Sequence, residues 1–234
     1  MESVITQKEP VPVCRRVTVL FTAAAVTLAV VFGVNILHLL DGAITEAVHI
    51  SSYTMMIYNA AAVVIFAAFI SCLNVFLKRH ADFVPFAKSE KPLSYKRTLI
   101  IFAVTAVCVF VTSACIGFKF KVFYELGQDV AVIHMSAVLI EYLRRLLQLM
   151  IAIAFLRITD EAFSALLPAC KIPVAGIVFV LLYGVIDFFL YRALGRGLFS
   201  YVYLAYNVVY ALFYYIGDRK LYTAFIPAAV LLVL

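Results

Sequence analysis

Charge is scarce in this chain. Only 14% of its 234 residues are Asp, Glu, Lys or Arg, and 66% are apolar. Soluble domains carry about 25% charged residues. A soluble chain of this length must turn a large share of its residues to water. The composition therefore excludes a soluble globular enzyme and a disordered chain. Cysteine is sparse and unpatterned. Cys14, Cys72, Cys108, Cys115 and Cys170 form no CxxC and no Cys/His cluster. That excludes a disulfide scaffold, leaves reduced thiols packing as small hydrophobes, and implies no metal site and no cofactor. His38, His49, His80 and His134 have no ligand spacing. GxSxG, HExxH, Walker A and GxGxxG are all absent, as are repeats and low-complexity segments.

What remains is an all-α class: a polytopic transmembrane helix bundle. At about 20 apolar residues per crossing, the length allows six to seven spans in one integral membrane domain over residues 1–234. The apolar runs place spans at 17–40, 53–77, 98–118, 129–157, 172–192 and 199–216. A last run, Leu221–Leu234, reaches only about 21 Å as a helix, short of a full crossing. The first run is longer than the core of a cleaved signal peptide and reads as a permanent span.

Loop charges set a direction. With residues 1–16 in the cytoplasm, the inside segments hold Lys8, Arg15, Arg16, Lys78, Arg79, Lys88, Lys91, Lys96, Arg97, Arg157, Lys171, Arg219 and Lys220. The outside segments hold Lys119, Lys121, Arg192 and Arg196. This asymmetry predicts a cell-membrane protein with a cytoplasmic N-terminus. The net charge of +6 then reflects loops held against anionic lipid headgroups of the bilayer, not nucleic acid. Residues 78–97 form a basic cytoplasmic loop with Phe83, Phe86 and Tyr95 at the interface. Residues 157–171 are expected to form a connector in which Thr159 caps a short interfacial helix. Asp160 and Glu161 would sit in its first turn, and Phe163, Leu166 and Leu167 would face lipid.

Charged groups inside spans are costly and mark candidate sites. Glu141 and Arg145 are four apart and can pair on one helix face. Arg144 points elsewhere. Tyr183 and Asp187 repeat the four-residue spacing in the fifth span. Tyr203, Asn207 and Tyr210 share a face of the sixth. Candidate catalytic groups are Glu141, Arg145 and Asp187. Candidate substrate-binding groups are Glu141, Arg144, Arg145, Tyr183, Asp187, Tyr203 and Asn207. An arrangement of His134 with Glu141 and Asp187 has to bridge about 10.5 Å along the helix between the first two. Asn35, Asn59 and the pair Ala25 and Ala29 read as helix-packing contacts.

The order of these features resembles the CaaX-protease and bacteriocin-processing family of intramembrane proteases. The likeness spans roughly residues 130–234. It rests on Glu141-x-x-x-Arg145 followed by Leu146-Leu147-Gln148, on Tyr183-x-x-x-Asp187, and on the turn from Tyr214 to Ala224 before an apolar helix. The resemblance implies a protease-like core. The family pattern has a second Glu where Ile140 stands, Phe and His where Tyr183 and Asp187 stand, and a late His near Ala228. These departures imply a degenerate, non-hydrolytic relative, a pseudoprotease, that binds a hydrophobic peptide, a lipid or a membrane-protein partner. The alternative is a small transporter, or a subunit of one, with a buried Glu/Arg site.

Overall fold

A computed structural model describes residues 12–48, 52–87, 92–115, 117, 135–170, 172–193 and 197–233. Among the described residues the regular structure is helical throughout. Helices α1 (Val13–Val48), α2 (Ser52–His80) and α3 (Tyr95–Cys115) come first. Helix α4 (Met135–Leu166) follows. Then come α5 (Val174–Phe179), a π-helical turn (Val180–Gly184) and α6 (Val185–Ala193). Helices α7 (Gly197–Ile216) and α8 (Leu221–Val233) close the chain.

Among the described residues three stretches are long and apolar enough to cross a membrane: Val13–Leu37, Met56–His80 and Tyr95–Ala114. Most of each faces outward. Only 33%, 22% and 17% of their apolar windows are buried. Val64, Ile65, Phe102, Val107 and Phe110 are all exposed. Helix α7 is close to α3 in length and carries six tyrosines and Asn207. Helix α4 carries charges near both ends, and the α5–α6 rod is interrupted by the π turn.

Helix α4 is the hub. It touches α1, α2, α5, α7 and α8. Six consecutive residues, Ile151 to Leu156, are buried, so this part of the helix is enclosed all round, as a uniformly apolar helix requires. Helix α8 lays Leu221, Ala224, Ala228 and Leu231 into the core at helical spacing. Helix α3 lies at the edge against α7 and α8.

Two local expectations are corrected. The 157–171 connector has no separate capped helix. No Gly or Pro lies between Met135 and Leu166, so α4 continues through Arg157. Thr159 Oγ1 donates to the Phe155 carbonyl at 2.7 Å, inside the helix, instead of capping one. Phe163 packs edge-on against Phe21 of α1, centroids 5.3 Å apart, while Leu166 and Leu167 are exposed. In α1 the packing stripe is also displaced from the expected one. Ala25 and Ala29 are exposed, and Leu20, Ala23, Ala24, Thr27, Val31 and Val34 are buried.

Candidate functional site

Polar groups gather at the two ends of α4. Glu141 and Asp160 are 19 positions apart, roughly 28 Å on helical rise.

At the far end, Arg145 Nη2 donates to Glu141 Oε1 at 2.5 Å, as the four-residue spacing requires. Arg145 also lies over the Tyr142 ring at 5.4 Å. Arg144 is buried, and its Nη1 donates to Gln148 Oε1 at 3.1 Å. Asn35 of α1 and Asn59 of α2 are buried as well. The Arg16–Glu161 ion pair sets the α1–α4 register. Nineteen residues from Arg16, roughly 28 Å, bring Asn35 to the depth of Tyr142. The Tyr58 hydroxyl donates to the Val34 carbonyl and brings Asn59 to that same depth. Asn35 Nδ2 and Asn59 Oδ1 have no hydrogen-bond partner among the described residues.

The other sequence candidates lie at mid-depth. Tyr183, in the π turn, is buried between Phe155 and Phe179, ring centroids 5.2 Å from each. Phe155 is 14 residues from Glu141, so Tyr183 packs roughly 21 Å from it along α4. Asn207 Nδ2 donates to the Tyr203 carbonyl at 3.0 Å, and Tyr203, Asn207 and Tyr210 are buried together on α7. A Cβ on Gly184 would lie 2.9 Å from Leu204 and 3.6 Å from Asn207, which explains a glycine where the π turn meets α7. The side chain of Asp187 lies outside the described residues, as does His134. The structure thus brings Glu141 together with Arg145, and Tyr203 with Asn207, at different depths.

The near end holds a constellation that sequence spacing does not show. Asp160 accepts hydrogen bonds from the Tyr214 hydroxyl at 3.2 Å and the Tyr215 hydroxyl at 3.3 Å. Arg219 Nη1 lies 3.4 Å from the same carboxylate and 3.4 Å from Ser164 Oγ. Asp160 stands one turn beyond Arg157, outside the apolar stretch of α4. Burial pushes its carboxyl above the usual range. The Arg219 charge and the two tyrosine hydroxyls pull it part of the way back. The Tyr215 hydroxyl also accepts from the Gly176 backbone N–H at 3.1 Å. A Cβ on Gly176 would meet the Tyr215 ring at 2.7 Å.

The surrounding contacts tie most of the helix ends together here. Arg16 pairs with Glu161 at 2.5 Å. Arg157 donates to the Pro85 carbonyl at 2.5 Å and lies over Phe83. Arg97 pairs with Asp218. Tyr222 donates to the Phe86 carbonyl at 3.2 Å. Four cations that the loop count assigns to one side, Arg16, Arg97, Arg157 and Arg219, therefore meet at one end of the bundle.

The turn that presents Arg219 is strained. Asp218 and Arg219 both adopt positive φ, 59° and 58°, at about 1–2 kcal/mol each for a residue with a Cβ. Gly217 beside them has no room for a side chain. A Cβ there would lie 2.2 Å from Thr223 Oγ1 and 2.7 Å from the Phe213 carbonyl. Arg219 N–H closes the turn onto the Tyr214 carbonyl at 2.8 Å.

No family model, curated protein or solved structure matches the chain.

Proposed function

We propose that this chain is a cell-membrane protein of six to seven spans with its N-terminus and the Asp160 end of α4 in the cytoplasm. It holds a hydrophobic peptide or lipid without hydrolysing it, as a degenerate relative of the CaaX-protease and bacteriocin-processing family. One observation carries the membrane reading. The outer faces of α1 to α3 are apolar and exposed, while polar contacts on α4 collect at two depths roughly 28 Å apart. That separation is close to the thickness of a bilayer core. Anionic headgroups suit the near end, where Arg15, Lys78, Arg79 and Lys96 are exposed.

The non-hydrolytic reading is supported by what surrounds the residues of the family pattern. The Glu141 carboxylate is engaged by Arg145. Tyr183 is stacked into an aromatic core. Ala228 is fully buried where the pattern has histidine. A general base and an oxyanion donor aimed at one point are what hydrolysis needs. The purified chain is expected to crosslink to prenylated or leader-type peptides and leave them intact. Cleavage that disappears in Glu141→Gln contradicts this.

A second reading, a small transporter or transporter subunit, draws on the far end. Buried Arg144 and the Asn35 and Asn59 amides share one depth between α1, α2 and α4. Buried ionisable groups of this kind line substrate paths. Uptake into vesicles that collapses in Glu141→Gln favours it over the first.

A further inference from the structure

Leu167, Pro168, Cys170 and Ile172 beyond the end of α4, with Arg219 of the α7–α8 turn, border a cleft of about 260 Å³ at the near end. Asp160 and Ser164 form its polar part, with Arg219 beside them. Phe163, Leu167 and Ile172 form an apolar wall. Leu167 and Ile172 are exposed, so the wall continues onto the outer surface. A ligand matching both parts has a small polar head joined to an apolar tail.

The polar part says what kind of head. A carboxylate and a guanidinium stand side by side, 3.4 Å apart. The side-chain contacts of Arg219 with Ser164 and Asp160 go through Nη1, leaving other donors of its fork for a ligand. A plain anion on Arg219 would lie against the Asp160 carboxylate. A zwitterion satisfies both groups, its cation on Asp160 and its anion on Arg219. The cation needs N–H donors to bond the carboxylate and the Ser164 hydroxyl, which a primary ammonium has and a quaternary one lacks. The cleft also lies where the charged helix ends gather, at headgroup depth if the bundle spans a bilayer.

We propose that this cleft binds the phosphoethanolamine headgroup of a phospholipid, with the ammonium on Asp160, the phosphate on Arg219, and the acyl chains along Leu167 and Ile172. The inference rests on the membrane reading above. The strained turn has a role in it: two residues of positive φ hold Arg219 over the cleft.

The test follows thermal unfolding of the full chain in detergent as phosphatidylethanolamine, phosphatidylcholine or phosphatidylglycerol is added. Phosphatidylethanolamine is expected to raise Tm by roughly 5 °C at saturation and phosphatidylcholine to leave it unchanged. The rise is expected to vanish in Arg219→Ala and to shrink in Ile172→Asn, whose exposed side chain leaves the fold intact. Equal rises with ethanolamine and choline lipids, a larger rise with phosphatidylglycerol, no rise with any lipid, or a rise that survives Arg219→Ala overturns the proposal. Carbonate extraction of membranes separates the two readings. A chain that stays in the pellet yet shows no ethanolamine preference loses the headgroup site alone. A chain released to the supernatant loses the membrane reading as well.

Discussion

The two ends of α4 solve the same problem differently. Among the described contacts at the far end are Glu141 with Arg145 and Arg144 with Gln148, each partner four residues along the same helix. At the near end, Arg157, Asp160 and Glu161 meet Pro85, Tyr214, Tyr215, Arg219 and Arg16, between 54 and 145 positions away. A pair within one helix steadies that helix by a few tenths of a kcal/mol. A contact between helices fixes how they assemble. The near-end contacts join separate helices, and their loss is expected to outweigh loss of the Glu141–Arg145 pair alone.

The largest expected effect is at Asp160. In Asp160→Ala the Tyr214 hydroxyl, buried at 1% exposure, loses its acceptor, at a cost of about 2–3 kcal/mol. Chemical or thermal unfolding in detergent measures it. Asp160→Asn keeps an acceptor and is expected to cost about 1 kcal/mol. Next is Gly176→Ala, which pushes Tyr215 off both Asp160 and the Gly176 N–H. It is expected to cost about 1–2 kcal/mol by the same unfolding assay. Smallest is Glu141→Gln, at about 0.3–1 kcal/mol for a partly exposed pair. If Glu141→Gln proves more destabilising than Asp160→Ala, the contrast between the ends is inverted.

The pH dependence sharpens the same point. Burial raises the Asp160 carboxyl, so the folded state holds that proton more tightly than the unfolded chain does. Its contribution is complete below the unfolded value, about 3.9. It is lost as pH rises through the higher folded value. The stability difference between the native chain and Asp160→Asn is therefore expected to move against the native chain over that rise. A pH-independent difference contradicts the assignment.

Much of the fold was legible because long apolar helices are written in local signals. Apolar runs located part of every helix among the described residues but not the 158–166 end of α4, and the four-residue spacing found the Glu141–Arg145 pair. The 157–171 segment misled because its Thr-Asp-Glu run imitates a helix start, while the missing signal was the lack of any Gly or Pro before Pro168. The near-end site was illegible for another reason. Nothing in the spacing of Asp160 and Tyr214 says that α4 and α7 end at one depth. The loop-charge count held part of that information, since the four cations it assigned to one side meet there. Gly176 and Gly217 carried no signal at all until their neighbours were known.

In the proposed topology the Asp160 end of the bundle lies in the cytoplasm and the α6–α7 end lies across a bilayer from it. Labelling with a membrane-impermeant maleimide tests this most directly, using single-cysteine chains that keep only Cys14, only Cys170, or an Arg192→Cys substitution. Cys14 and Cys170 are exposed at the near end, and Arg192 is exposed 16 residues beyond Gly176, roughly 24 Å away. Arg192→Cys is expected to be labelled in intact cells, and Cys14 and Cys170 only after permeabilisation. Labelling of all three from one side, or the reverse pattern, contradicts that topology.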